Sequence, residues 1–293
     1  MVITNKKGLP KAMENACIAL FSAKHNKPGT LSATTLKSGV REIILTDRYW
    51  DNIERDISEM TPVLIGTAIH SVLEAHTDNT EDIMAEEQFT FTVGDITVTG
   101  RLDGYDVKNK VIYDYKSAAV WKKIYNDFED WKFQGLVYTL LLNKAGYEVN
   151  ECKFIMMFKD WSPTKASTDT SYPQFPCDTY TFKPTLNDIA EIEETIKTKV
   201  EEYVKSLPLS DEELPLCTEK ERWTKPTTYA VMKKGRKTAL RVLETKADAE
   251  KYLSENGGDY IEERKGSDGK CENYCICNKF CPYWKEHYAP KSE

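Results

Sequence analysis

Residues 100–118, "GRLDGYDVKNKVIYDYKSA", set the frame for the rest of the chain. Their alternation is that of a β-hairpin turning at Lys108–Asn109, because asparagine tolerates the left-handed conformation such turns need. Paired positions then sum to a constant, and Asp103 falls opposite Asp114. Cross-strand side chains lie about 5 Å apart, and like charges so placed repel. Asp114 and Lys116 are two residues apart and share a face. Thr99 and Arg101 are expected on that same face from the partner strand. A divalent cation relieves the repulsion, since two carboxylates, waters and a phosphate oxygen suit Mg²⁺. A lysine beside such an ion can position or help deprotonate an attacking water. A lone D-x-K triplet is common on solvated hairpins; the opposed Asp103 and the flanking helices set this one apart.

The surrounding pattern predicts a mixed-sheet α/β core. Helices are expected over residues 10–27, towards the end of 30–60, and over 61–77, the last opened by Thr61 with Pro62 at its first position. Strands follow at 86–93 and 96–107, joined by a turn at Gly94–Asp95, and then at 111–117. A long helix ends at Gly146. The apolar strand 151–161 reads as central, 177–184 as a further strand, and 185–207 as an exposed helix. Composition shifts at "SLPLSDEELPLC", after which strand, strand, helix and strand make a small appended α+β module. The expected division is a core domain over 1–210, with its centre at 60–185 and a helical N-terminal region, and a second domain over 211–293.

The 293 residues carry a net charge of −7, which argues against a globally basic nucleic-acid binder but allows a local basic groove. Apolar runs such as "GLVYTLLL" are too short to span a bilayer. No cleavable leader is read at the N-terminus, so a cytoplasmic location is expected. No glycine-rich nucleotide-binding loop is present.

Four ordered motifs carry a resemblance. Gly66 with His70, Gly100–Gly104, Asp114–Lys116, and Gln134 with Tyr138 together resemble the PD-(D/E)XK nuclease superfamily in its RecB-like branch, over about residues 60–160. The resemblance implies a restriction-endonuclease-like core. It implies His70, Asp103, Asp114 and the Tyr115 carbonyl as ligands of Mg²⁺ or Mn²⁺, and Lys116 as the catalytic lysine. Gln134 and Tyr138 would orient that lysine or contact DNA. Helical spacing agrees: Gly66, His70 and Glu74 share one face, as do Gln134 and Tyr138. Gly66 would let another backbone approach closely. Glu74 is either a partner of His70 or a solvated acid, and His76 is a helix-end residue. The implied function is a metal-dependent DNA nuclease, an exonuclease acting on linear or single-stranded ends in phage-style recombination or repair, with a helicase or recombination partner in view. The alternatives are a catalytically idle nucleic-acid-binding scaffold of the same fold and a hydrolase of small phosphates.

Cys271, Cys275, Cys277 and Cys281 crowd "CENYCICNKFC", a density that in an intracellular protein points to metal rather than disulfides. The spacing is not that of paired C-x-x-C zinc knuckles. Cys271, Cys275 and Cys281 resemble the C-terminal group of RecB-like nucleases of the AddB kind, which implies a [4Fe-4S] cluster, with zinc as the alternative. Cys217 is the expected fourth ligand, with Cys17 and Cys277 as the other choices. Nucleic-acid contacts are expected from Trp121, Lys122 and Lys123, with Trp131, Arg41, Arg48, Lys233, Lys234, Arg236 and Lys237 as further cations and aromatics suited to strand binding.

Overall fold

A computed structural model of the chain describes residues 1–22, 27–77 and 82–290. Two units pack about separate cores: Met1–Ser38 with Trp50–Leu207, and Gly39–Tyr49 with Pro208–Glu293. Among the described residues no helix is long and apolar enough to cross a membrane.

The chain opens with β1 (Val2–Thr4), α1 (Lys11–Phe21) and β2 (Thr30–Ser32). The helix expected over 10–27 ends at Phe21, and residues 23–26 lie outside the described residues. The helical end expected for 30–60 is instead α2 (Val40–Arg48), a 3₁₀ turn at Trp50–Asn52 and β3 (Glu54–Asp56), which pairs in parallel with β1. Helix α3 (Ile57–Glu74) begins at Ile57 rather than Thr61, because Asp56 caps it by accepting from Ser58 N at 3.0 Å. Pro62 therefore lies inside the helix, where it has no N–H for the Ser58 carbonyl. Thr61 Oγ1 turns back and donates to that oxygen at 3.4 Å.

Next come β4 (Ile83–Ala85), β5 (Gln88–Val93), β6 (Ile96–Arg101), β7 (Gly104–Asp106), β8 (Val111–Ala118), α4 (Val120–Ile124), α5 (Glu129–Lys144), β9 (Glu151–Phe158), α6 (Pro163–Thr168), β10 (Cys177–Phe182) and α7 (Leu186–Ser206). The single strand expected over 96–107 is two strands in two sheets. β6 joins β2 and β5, whereas β7 joins a five-stranded sheet of order β10-β9-β8-β7-β4. The change of sheet falls at Leu102–Asp103: Leu102 is buried, and Asp103 Oδ2 accepts the Tyr115 N–H at 2.7 Å. Thr99 and Arg101 consequently lie in the other sheet, not on the face of Asp114. The hairpin register, Gly104 with Tyr113 and Asp106 with Val111, is the expected one, and the pairing stops at Gly104, one residue short of Asp103. In the turn, Asp106 accepts from the Asn109 backbone and amide, both at 2.8 Å, and the left-handed residue is Lys110 (φ +60°) rather than Asn109.

Within the five-stranded sheet β8 and β9 are parallel and the other pairs antiparallel, with α4 and α5 as the crossover, so the core is a mixed α/β one. β9 buries Cys152, Phe154, Met156 and Phe158 in alternation. Helix α5 lies on that face: Trp131 stacks on Phe154 at 5.7 Å, and a Cβ at Gly135 would come within 2.9 Å of Phe182. Along α7, Asp188 pairs with Lys132 of α5 at 3.0 Å and Glu193 with Lys144 at 3.0 Å.

The second unit contains α2, α8 (Glu219–Arg222), β11 (Thr224–Lys225), β12 (Thr228–Met232), β13 (Arg241–Leu243), α9 (Lys246–Asn256), β14 (Tyr260–Arg264), β15 (Ser267–Asp268), α10 (Gly269–Asn273) and α11 (Pro282–His287). Residues 228–264 run strand, strand, helix, strand, with sheet order β13-β12-β14. Residues 39–49 were expected in the core domain and pack here instead. Arg41 is buried and donates to the carbonyls of Leu214 and Pro215, while Glu42 pairs with Lys270 at 2.6 Å. Buried Asp268 accepts from Arg222 Nε (3.1 Å), Tyr283 Oη (2.7 Å) and Tyr288 Oη (3.0 Å), which ties the cysteine-bearing segment at both ends.

Candidate functional site

Three side chains meet where β6 gives way to β7. The ligating atoms of His70, Glu86 and Asp103 all lie within 4.8 Å of one another. His70 reaches in from α3, with Nδ1 3.3 Å from Asp103 Oδ1; the hydrogen bond to that carboxylate holds its pKa above the usual histidine value. Asp103 is fixed on its other oxygen by the Tyr115 N–H. Glu86 sits at φ +56°, a conformation uncommon for a glutamate, and burial holds its carboxyl above the usual range. Arg101 Nε lies 2.7 Å from Glu86 Oε2 and donates to the Glu86 carbonyl at 3.2 Å. Arg101 also pairs with Glu74 at 3.2 Å, so Glu74 serves the arginine rather than His70. His76 closes its own helix end, with Nδ1 2.8 Å from the Val72 carbonyl.

Asp114 is the buried member of the group. Its Oδ1 accepts from Gln134 Nε2 at 3.3 Å, and Lys116 Nζ lies 2.5 Å from Oδ2. A carboxylate oxygen carries two lone pairs, so Oδ2 can meet Lys116 and still face a cation. Burial holds this carboxyl above the ordinary carboxylate range, against the opposing pull of Lys116. Gln134 Nε2 also donates to Tyr138 Oη at 2.7 Å, and Tyr138's hydroxyl is held above its usual pKa by burial. Gln134 therefore positions Asp114, not Lys116. Two carboxylates, an imidazole and a buried acid with a spare lone pair suit a hard divalent cation.

Sequence reasoning named His70, Asp103, Asp114, Tyr115, Lys116, Gln134 and Tyr138, and their elements converge. It expected the ion between Asp103 and Asp114; the close triple instead includes Glu86, and Asp114 is engaged by Lys116. Glu86 was missed because its approach depends on a left-handed backbone between β4 and β5. Gly66, read as a point of close approach, has room to spare: a Cβ there would meet only Ser117 Oγ, at 3.8 Å.

In the second unit, Cys217, Cys271, Cys275, Cys277 and Cys281 line one cavity with Arg41, Glu42 and Arg222. Burial pushes the thiols of Cys217 and Cys271 up to about 12, whereas the Cys277 thiol, 3.6 Å away, lowers that of Cys275. Cys277 also donates to the Glu42 carbonyl at 3.7 Å. Cys17 packs with Ile57 and Met60 in the core of the first unit and does not line the cavity. Tetrahedral zinc would draw four sulfurs to about 3.8 Å from one another, given Zn–S bonds of about 2.3 Å. Among the described residues no three thiols lie within 4.8 Å of each other.

The expected nucleic-acid cations are mostly engaged. Lys122 pairs with Asp130 at 2.6 Å and Lys123 with Asp178 at 2.9 Å. Arg48 pairs with Asp211 at 2.6 Å, and Arg41 is buried. Trp131 is a core residue, whereas Trp121 is exposed and stacks on exposed Tyr125 at 5.5 Å. Lys233, Lys234, Arg236 and Lys237 lie between β12 and β13.

No family model matches this chain, and no curated protein matches its sequence. Among solved structures it is similar to SSO0001, with TM-score 0.47 and 15% identity over 69% of this chain and 88% of that one. It is similar to an alkaline exonuclease, LHK-Exo from Laribacter hongkongensis, with TM-score 0.41 and 12% identity over 61% of this chain and 90% of that one. A phage-related exonuclease from Haemophilus somnus 129PT gives TM-score 0.32 and 12% identity over 67% and 80%.

Proposed function

We propose that this protein is a metal-dependent DNA nuclease, an exonuclease acting on linear ends in recombination or repair. The observation that carries the reading is the meeting of His70, Glu86 and Asp103 beside the buried Asp114–Lys116 pair. His70, Asp103, Asp114 and the Tyr115 carbonyl are the proposed holders of Mg²⁺ or Mn²⁺, with Glu86 beside them. Such an ion supplies an activated water and polarises the phosphate. Lys116 then has two duties. Without the ion it neutralises a buried carboxylate; with Asp114 committed elsewhere, its ammonium is free for the nucleophile or the phosphate. Gln134 and Tyr138 keep Asp114 aimed, and Trp121 offers a ring face to an unpaired base.

The cysteines of the second unit, Cys217, Cys271, Cys275 and Cys281, are proposed to hold a [4Fe-4S] cluster. Their spacing along the chain, which is not that of paired C-x-x-C zinc knuckles, supports it over zinc.

The test is digestion of end-labelled linear DNA with Mg²⁺, Mn²⁺ or a chelator. Wild type releases nucleotides only with metal. Lys116→Ala lowers the rate by about 10³-fold or more while its circular dichroism is unchanged. Equal digestion by both proteins would remove the catalytic assignment. Metal-independent DNA binding without cleavage would mark the protein as a scaffold.

A further inference from the structure

We propose that Lys37 is a phosphate-binding residue of the candidate site, a second cation that receives the DNA backbone near Lys116. The inference rests on the nuclease reading and adds a residue that no motif names. Lys37 ends the 3₁₀ turn Thr35–Lys37 and is half-buried. Its ammonium lies 3.4 Å from Gln134 Oε1, the same amide whose nitrogen holds Asp114. The carboxylates that influence it are already taken, Asp114 by Lys116 and Asp130 by Lys122. Among the described residues no carboxylate is within ion-pairing distance of Lys37. Burial and the nearby Lys116 accordingly hold its ammonium below the usual lysine range.

A half-buried, uncompensated ammonium is costly, and a folded chain keeps one where an anion completes it. The backbone here is built to hold it. Lys199 of α7 donates to the carbonyls of Leu36 (2.9 Å) and Ser38 (2.6 Å), the residues on either side of Lys37. Leu36 itself is buried and anchors the turn. Lys37 thus stands on a clamped turn, near Lys116 and on the amide that also holds Asp114. Phosphodiester oxygens match that demand: they are anionic and accept charge-assisted hydrogen bonds from an ammonium. Carboxylate ligands would meet the two acids at the site, whereas a phosphate shares its charge with the proposed cation.

The experiment measures binding of a labelled single-stranded oligonucleotide in Ca²⁺ at several salt concentrations, with Lys37→Gln, Lys37→Arg and Lys199→Met beside wild type. Loss of a charged hydrogen bond weakens Lys37→Gln about tenfold or more. It also lowers the slope of log affinity against log salt by about 0.7, the share of one phosphate contact on a single strand. Lys37→Arg restores the slope, and Lys199→Met weakens binding less than Lys37→Gln does. Thermal stability of Lys37→Gln is equal to or above that of wild type, because an unpaired buried charge is removed; a structural lysine would lower it. Unchanged affinity and slope in Lys37→Gln, with wild type binding and cleaving DNA, would overturn the role of Lys37 alone. Absence of binding and cleavage by wild type would overturn the nuclease reading with it.

Discussion

Gly100 has no space for a side chain, and this ties the first half of the motif to the second. A Cβ there would come within 2.5 Å of Leu141 Cδ1 and 3.0 Å of Tyr138 Cδ1 and Cε1. Tyr138 is the residue that Gln134 grips, and Gln134 holds Asp114. Gly100→Ala therefore acts at two levels. Overpacking costs about 1–3 kcal/mol, seen as a lower midpoint in denaturant. The displaced Tyr138 also loosens Gln134, so the proposed nuclease activity should fall by more than the loss of folded protein accounts for. A variant that loses stability and keeps full specific activity would break this link. At this scale the sequence names most of the residues that converge in the candidate site, because His70, Asp103, Asp114, Lys116, Gln134 and Tyr138 recur at helix and strand spacings. Glu86 and Lys37 carry no such spacing; each stands in an irregular turn whose path depends on what packs beneath it.

Among the elements, α7 shows how local chemistry anchors a surface helix. Thr185 Oγ1 accepts from the Asp188 backbone, and Asp188 returns to the Thr185 N–H at 3.0 Å. The Thr185 hydroxyl, followed by the pair with Lys132, holds Asp188's carboxyl down at about 2. Thr185→Ala costs about 1 kcal/mol in chemical denaturation at neutral pH. The folded pKa is depressed below the unfolded value of about 3.9, so this contribution is fully present above about pH 4 and disappears as pH falls towards 2. Wild type and Thr185→Ala should accordingly converge in stability under acid; a gap that stays constant to pH 2 would exclude the ionic part of the cap. The elements themselves were largely visible in periodicity. Their breaks were less so: α3 starts at its Asp56 cap instead of at Pro62, and one apparent strand serves two sheets.

The whole molecule is two units whose boundary does not follow the sequence. The second unit borrows α2 from near the N-terminus. The cysteine-lined cavity lies within it, between α2 and the C-terminal segment. A bound cluster would add its binding energy to folding. Anaerobically purified wild type is expected to show iron–sulfur absorbance and about four irons per chain. Cys271→Ser with Cys281→Ser loses the colour and melts at lower temperature, whereas Cys17→Ser keeps the colour. Colourless wild type holding zinc at about one ion per chain would overturn the cluster in favour of the other metal.

Residue order alone was enough for the mixed α/β core, the register of the β7–β8 hairpin, and the clustering of thiols near the C-terminus, since these depend on periodicity and spacing within short segments. Folding in three dimensions settled the rest. It put Glu86 into the acidic group, gave Asp114 to Lys116, left Lys37 without a counterion among the described residues and moved α2 into the second unit. Each of those outcomes joins segments far apart along the chain, where burial and charge compensation act through space and leave no local pattern to read.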